Sequence, residues 1–378
     1  MLKLLAFTIG DPFDKKSFSG SNFQLFSTMN KQDILADVFN TDLEGIEKIL
    51  CALPFFSFNK KKWRQQYNLS RSAFDRRSRK AEGLIKSYHG DFNSLFQIGA
   101  TFSLPAYSDK PCFCFCDGNI YASYHGGKYS HASLLSGRRY AEVFENEKSV
   151  YDNCHIIFTF GEWLVESFVK GFGVPEEKVV PVGAGINLEN LPDIKEREYD
   201  MRTILFIGKE FERKGGETVV EAFRTVRKEV KDARLLLVGA DIDIDEEGIE
   251  VVGFVNPNSP EGIKKLADFY MAASVFVLPS FYEPFGIVFL EAMHFMLPCI
   301  GSTRCAMPEI IDDGQTGFVV EAGDPKALAE RIITILKDES LVRDFGMAGQ
   351  EKLRSKYTWH NVVEKIKARA GALVSNGR

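Results

Sequence analysis

Two α/β domains, each built on a parallel sheet and set on either side of a cleft, are predicted by three observations. At 378 residues the chain exceeds one ordinary core, and two domains of about 150 to 200 residues are expected. Its second half alternates short, continuous apolar runs with amphipathic stretches, the pattern of strands buried on both faces under covering helices. The first half repeats that alternation less regularly, and a proline-containing acidic segment lies between the two.

Residues 2–8 read as a first strand. A secretory leader is not expected, because the stretch is short, carries the single cation Lys3 and runs into Gly10-Asp11-Pro12 without a small-residue cleavage site. Residues 94–98, 112–116 and 155–159 are the other strands expected in this half. Cys112, Cys114 and Cys116 alternate along a strand, whereas structural zinc sites pair cysteines across a turn. They read as small buried hydrophobes in a reducing compartment. Residues 187–200, with Pro192 among acidic neighbours, have linker character and place the boundary between a domain at 1–190 and one at 200–358. In the second domain, strands are expected at 203–207, 235–238, 251–254, 275–278 and 299–300. Helices are expected near 218–230, 260–272, 285–297, 325–338 and 340–356. A last helix begins near His360; position alone leaves open whether it caps the second domain or returns to the first.

Composition narrows the function. Apolar residues at 45% and charged residues at 26% suit a soluble globular chain, and a net charge of −5 argues against general nucleic-acid binding. No stretch reaches the roughly 18 to 20 apolar residues that a spanning helix requires, so a cytoplasmic location is expected, with any membrane contact peripheral.

Two segments carry candidate chemistry. The first, Tyr282-Glu283-Pro284-Phe285-Gly286-Ile287-Val288-Phe289-Leu290-Glu291, follows an apolar strand and feeds a helix. Ligands of parallel sheets sit beyond strand carboxyl ends, where free N–H groups at a helix start attract phosphate. Gly286 would let backbone approach a ligand, and Glu283 and Glu291 would accept from hydroxyls. A plain connection with two solvated acids is the competing reading. The second segment, Gly208-Lys209-Glu210-Phe211-Glu212-Arg213-Lys214-Gly215-Gly216, sets Lys209, Arg213 and Lys214 beside glycines at another helix start. Such cations suit an oxyanion; an exposed loop whose cations pair with Glu210 and Glu212 is the competing reading. The spacing is not that of a P-loop.

In order and spacing over about 150 residues, these segments resemble glycosyltransferase family 4, retaining enzymes of the two-Rossmann GT-B fold. The matching residues are Gly208-Lys209, Lys214-Gly215, Leu237-Val238-Gly239, Gly253-Phe254-Val255, and Pro279-Ser280-Phe281-Tyr282-Glu283-Pro284-Phe285-Gly286 with Glu291. The resemblance implies two Rossmann-like domains facing across a cleft, with helix 360–378 crossing back to the first. It implies that Lys209 and Lys214 hold the diphosphate of a sugar nucleotide, with Arg213 beside them. Lysine at 209 keeps the charge of the commoner arginine but loses its planar fork. Glu283 would hold the transferred sugar, Glu291 the ribose, the backbone of Phe285, Gly286 and Ile287 the sugar or phosphates, and Phe254 and Val255 the base. In the looser N-terminal half, Ser17-Phe18-Ser19-Gly20-Ser21 resembles a first loop reaching donor phosphate and acceptor. Gly20 is assigned there to the donor and Ser21 to the acceptor. The resemblance would place Asp117 near the reacting carbon, and His125, in Tyr124-His125-Gly126-Gly127, either lines the cleft or is an ordinary loop histidine.

The expected function is therefore retaining transfer of a sugar from a UDP-, GDP- or ADP-linked donor to a glycan, a lipid-linked acceptor or a small molecule. No cofactor is expected, since the sugar nucleotide is a substrate. No metal is expected either, because the Asp-x-Asp run 241–247 reads as a solvated acidic turn. A non-hydrolysing sugar-nucleotide 2-epimerase and a non-catalytic nucleotide-sugar-binding protein are the alternatives. A nicotinamide dehydrogenase is disfavoured, since no Gly-x-Gly-x-x-Gly follows the first strand. Residues 60–80 hold nine cations against the single acid Asp75, near Phe55, Phe56, Phe58 and Trp63. Residues 55–80 thus present either a membrane-facing patch, a solvated basic helix or a face for an anionic acceptor.

Overall fold

The computed structural model describes residues 1–107 and 109–376. It divides into two units, Met1–Gly183 with Trp359–Arg378, and Ala184–Thr358. In the first, strands β1 (Leu4–Thr8), β2 (Leu35–Asn40), β3 (Ser94–Ile98), β4 (Cys112–Cys116), β5 (Ile156–Thr159) and β6 (Val179–Pro181) form a parallel sheet in the order β2-β1-β3-β4-β5-β6. Helices α1 (Ser21–Lys31), α2 (Gly45–Ala52), α3 (Lys60–Asn68), α4 (Arg71–Ser87), α5 (Ile120–His125) and α6 (Gly137–Asn153) belong to it. Every residue of β1, β3, β4 and β5 is buried, which is why those strands read as unbroken apolar runs.

The second unit repeats the plan. Strands β7 (Thr203–Ile207), β8 (Arg234–Val238), β9 (Ile249–Gly253), β10 (Val275–Leu278), β11 (Cys299–Ser302) and β12 (Gly317–Val320) run parallel in the order β12-β11-β10-β7-β8-β9. They alternate with helices α7 (Gly216–Glu229), α8 (Pro260–Ala272), α9 (Ile287–His294), α10 (Met307–Ile310), α11 (Pro325–Leu336) and α12 (Glu339–Lys356). Helix α9 starts at Ile287, so Phe285 and Gly286 stand before it and not within its first turn.

Residues 187–200 depart from the linker expected of them. Ile194 and Arg197 are buried, and the Arg197 guanidinium donates to the carbonyls of Tyr270 at 3.1 Å, Met271 at 2.8 Å, Phe295 at 2.6 Å and Ala273. These carbonyls end α8 and α9, where helices leave acceptors unpaired and favour a cation. The segment is thus a strap on the second unit, and the unit boundary falls earlier, between Gly183 and Ala184.

The final helix, α13 (Trp359–Asn376), belongs with the first unit. Val362, Val363, Ile366 and Ala370 are buried, Trp359 meets Phe160 edge-on with centroids 6.4 Å apart, and His360 Nδ1 lies 3.1 Å from Gln32 Nε2 just past α1. Among the described residues, no helix is long and apolar enough to cross a membrane.

Candidate functional site

Strand order reverses at the centre of the second sheet, where β7 has β8 on one side and β10 on the other. Connections leaving β7 and β10 then part to opposite faces, and a crevice opens beyond their carboxyl ends. Both motif segments follow these two strands. After β7, the loop turns through hydrogen bonds from Lys214 N to Glu210 O at 2.9 Å and from Gly216 N to Phe211 O at 2.8 Å. Gly215 closes it at φ +78°, and a Cβ there would stand 2.4 Å from the Pro279 carbonyl oxygen, so only glycine fits. After β10, Phe281 N donates to Arg213 O at 2.9 Å and ties the two loops together.

That tie brings predicted residues into contact. Lys214 Nζ donates to Glu283 Oε2 at 2.8 Å, and Arg213 Nη1 lies 3.4 Å from the same oxygen while also donating to the Tyr282 carbonyl. Arg213 Nε is held by Glu210 at 2.7 Å. The three side chains of this ion-pair group are only 13–15% exposed. Burial pushes the Glu283 carboxyl up, but Lys214 and Arg213 outweigh it and hold the group below its ordinary value. Helices α7 and α9 both begin after a left-handed glycine, Gly215 and Gly286, and neither start is capped by a side chain. Two uncapped helix starts, a lysine and an arginine therefore lie around one crevice, an arrangement suited to a phosphate group.

Glu291 sits apart from this ion-pair group. On α9 and 8% exposed, it accepts from the Tyr270 hydroxyl at 2.8 Å. Burial raises its carboxyl to about 7, against the pull of the Tyr270 hydrogen bond and the Lys214 charge. Tyr270 stacks on Phe295 at 5.1 Å, which fixes its ring. Tyr270 was missed from the sequence because it is an inward residue of a different helix. Cys305 was missed too: it holds a left-handed φ of 51° and meets the Glu283 backbone N–H, and burial lifts its thiol to about 11.

Lys209 is exposed, with its ammonium 4.0 Å from the centroid of the Phe254 ring. Phe254, 57% exposed, lies past the end of β9, with the half-buried Val255 beside it. Phe285 is buried with its ring edge-on to Tyr357, and Ile287 is half-buried at the start of α9. The acidic run 241–247 has no regular structure before its last residue, and Glu246 and Glu247 pair with Arg224 and Arg227 of α7 at 2.8 Å each.

In the first sheet the reversal lies between β1 and β3. The loop after β1 ends at Gly20, which is buried at φ 91°, followed by the buried Ser21 that opens α1. Phe18 and Ser19 precede them at φ 46° and 55°, a left-handed pair without glycine that motif reading did not anticipate. Asp117 is exposed just after β4, and His125 is exposed at the end of α5, its ring 4.4 Å from that of Tyr121.

Each unit is thus an α/β sheet with a strand-order reversal, and beyond the reversal of the second unit cations and uncapped helix starts gather. Residues 201–338 match the family model of the glycosyl transferases group 1. The capsular polysaccharide biosynthesis glycosyltransferase CapM of Staphylococcus aureus is 30% identical over 252 residues, 62% of this chain and 66% of that protein. The phosphatidyl-myo-inositol mannosyltransferase of Mycobacterium leprae is 30% identical over 202 residues, 50% of this chain and 52% of that one. The chain thus spans about half to just under two thirds of the length of these curated relatives. Among solved structures, sucrose-phosphate synthase from Thermosynechococcus elongatus covers 99% of this chain and 100% of its own, with a TM-score of 0.67 at 19% identity, a likeness of fold. Residues 201–338 therefore carry the glycosyl transferases group 1 family, and the chain has the GT-B fold.

Proposed function

We propose that this protein is a retaining glycosyltransferase that moves a sugar from a nucleotide-diphosphate sugar to a glycan, lipid-linked or small-molecule acceptor. The observation that carries this reading is the Lys214–Glu283 contact of 2.8 Å at the strand-order reversal, between two uncapped helix starts. An arriving diphosphate takes Lys214 and Arg213 and meets the N–H groups of α7 and α9. Glu283 is thereby freed to accept from hydroxyls of the transferred sugar. Glu291, oriented by Tyr270, accepts from the ribose, and Phe254 and Val255 lie along the base beside Lys209. As the bond from the sugar to the diphosphate breaks, negative charge grows on the leaving phosphate oxygen, where preorganised cations and dipoles stabilise it beyond the ground state. The acceptor oxygen bonds to the same face of the sugar carbon, and its proton passes to the departing diphosphate. In the first unit, Gly20 is assigned to the donor, Asp117 to the reacting carbon, and Ser21 and His125 to the acceptor or the cleft. The donor is UDP-, GDP- or ADP-linked, and the expected place of work is the cytoplasm, at the inner face of a membrane where the acceptor is lipid-linked.

A thermal-shift panel of UDP-, GDP- and ADP-sugars tests the reading. A ligand at 100 times its Kd stabilises by about 2.7 kcal/mol, so one nucleotide class is expected to raise the Tm of the wild type and to fail with Lys214→Ala. Absence of a shift with every donor would sink it. Conversion of the sugar nucleotide into an epimer without transfer would assign the site to the 2-epimerase chemistry instead.

A further inference from the structure

Six of the fifteen exposed large hydrophobic side chains among the described residues fall between residues 46 and 58. Ile46, Ile49, Leu50 and Leu53 recur at the spacing of one helical face, which in a globular protein turns toward the core. Here it turns outward, with Ile46 75%, Leu53 66% and Phe58 96% exposed. The inward face of α2 is made of the small residues Cys51 and Ala52, and Cys51 packs with Leu43 and Ala73.

The display is held in shape. Trp63 Nε1 donates to Ala52 O at 2.7 Å, and Phe56 lies edge-on to both Trp63 and Phe58, with centroids 5.4 and 5.5 Å apart. Arg139 of α6 sits 4.8 Å from the Phe55 ring and donates to Gln66 O at 2.9 Å, fastening α3 to the body of the unit. Cations flank the apolar face: Lys48 on α2, and Lys60, Lys61, Lys62 and Arg64 on α3, all exposed in a chain of net charge −5. Arg77, by contrast, is fully buried against Asn68 and Asp42, and Arg76 pairs with Glu47, so part of the basic run is spent inside the unit.

From this pairing of an outward apolar face with a flanking row of lysines, we infer that α2, the turn after it and the start of α3 form a docking surface for a bilayer containing anionic lipid. The apolar side chains enter the boundary between headgroups and acyl chains, and the lysines stay level with the phosphates. A second copy of the chain is the weaker occupant, because a two-fold contact through this face would bring the lysine rows of both copies together. The surface uses no residue of the donor site, so it stands independently of the glycosyl-transfer reading.

Flotation of the full chain on vesicles of phosphatidylcholine, alone and with phosphatidylglycerol, tests the inference. Binding is expected only with the anionic lipid and is expected to fall as salt rises. The double variant Leu53→Ser/Phe58→Ser and the triple variant Lys60→Glu/Lys61→Glu/Lys62→Glu should each lower partitioning at least ~10-fold. All of them should keep the wild-type donor-induced thermal shift, which separates this test from that of the donor site. No flotation at low salt, or flotation unchanged in both variants, would overturn the inference. So would concentration-dependent dimers in sedimentation that Leu53→Ser/Phe58→Ser abolishes while no vesicle binding is seen.

Discussion

The two strand-order reversals occupy equivalent places in their sheets and are built in opposite ways. Beyond β7 and β10, charges are paired in advance, two left-handed positions are filled by glycine, and backbone hydrogen bonds lash the loops together. Beyond β1, Phe18 and Ser19 are forced into left-handed backbone, and Phe13 and Phe18 are about half exposed. A site proposed to meet one kind of partner, a nucleotide diphosphate, can be satisfied in advance by its own side chains. A loop with stored strain and open aromatic surface suits recognition that differs from one relative to the next.

Replacing Lys214 with Ala should break the contrast most strongly. Loss of one preorganised charge at the leaving group is expected to lower turnover about 10²- to 10³-fold, measured as sugar release from the donor, and to leave Glu283 with Arg213 alone. Unaltered turnover would show that the paired crevice is not where the phosphate sits. Gly215→Ala probes the backbone half of the same design. A Cβ 2.4 Å from a carbonyl oxygen at φ +78° is expected to cost about 2–4 kcal/mol of stability, read from the denaturant midpoint. Gly20→Ala, at φ 91° in the other crevice, offers the comparison.

Glu291→Gln sharpens the comparison through pH. The folded carboxyl titrates at about 7 against an ordinary value of 4.5. Between those values the folded chain keeps a proton that the unfolded chain releases, so this group's effect is to lower stability as pH rises from 4.5 to 7, levelling off above. The variant should remove a slope worth on the order of 3 kcal/mol across that window, visible as a flatter stability-versus-pH curve. Donor affinity should strengthen through pH 7 in the wild type, as ionised Glu291 becomes the better acceptor, and the variant should lose that rise. The smallest effect is expected from Phe18→Gly. Relieving left-handed strain should stabilise the chain by about 1 kcal/mol and raise the acceptor KM while leaving the donor shift unchanged. A change in donor affinity would place Phe18, like Gly20, with the donor.

What could be read from the sequence follows burial. Strands β3, β4, β7 and β10 lie inside their sheets and announce themselves as apolar runs, and their expected limits coincide with or fall close to the observed ones. The strands missed altogether, β2, β6 and β12, are all edge strands. In β2 no residue is fully buried, and β6 is three residues long and ends in proline, so neither carries a two-sided apolar signal. The fourth edge, β9, was found but displaced toward Phe254. The residues proposed for the donor were brought to notice by cations, carboxylates and glycines at fixed offsets within two loops. The partnership of Glu291 with Tyr270 was not, since it joins two helices across 21 residues and depends on packing. Arg197 shows the reverse case, in which an acidic, proline-bearing stretch reads as solvated while its arginine is the capping group of two helix ends.

Helix α13 packs beside α1, although more than 300 residues of chain separate them. During synthesis the second unit emerges whole before the first can be completed, so an α/β sheet with an uncovered apolar flank must wait on the ribosome. Val362, Val363 and Ile366 reach that flank last, across a long loop whose closure is slow even though its entropic cost grows only logarithmically. The first unit is therefore expected to be the later to mature and the earlier to be caught by chaperones, even though it is the first to be made.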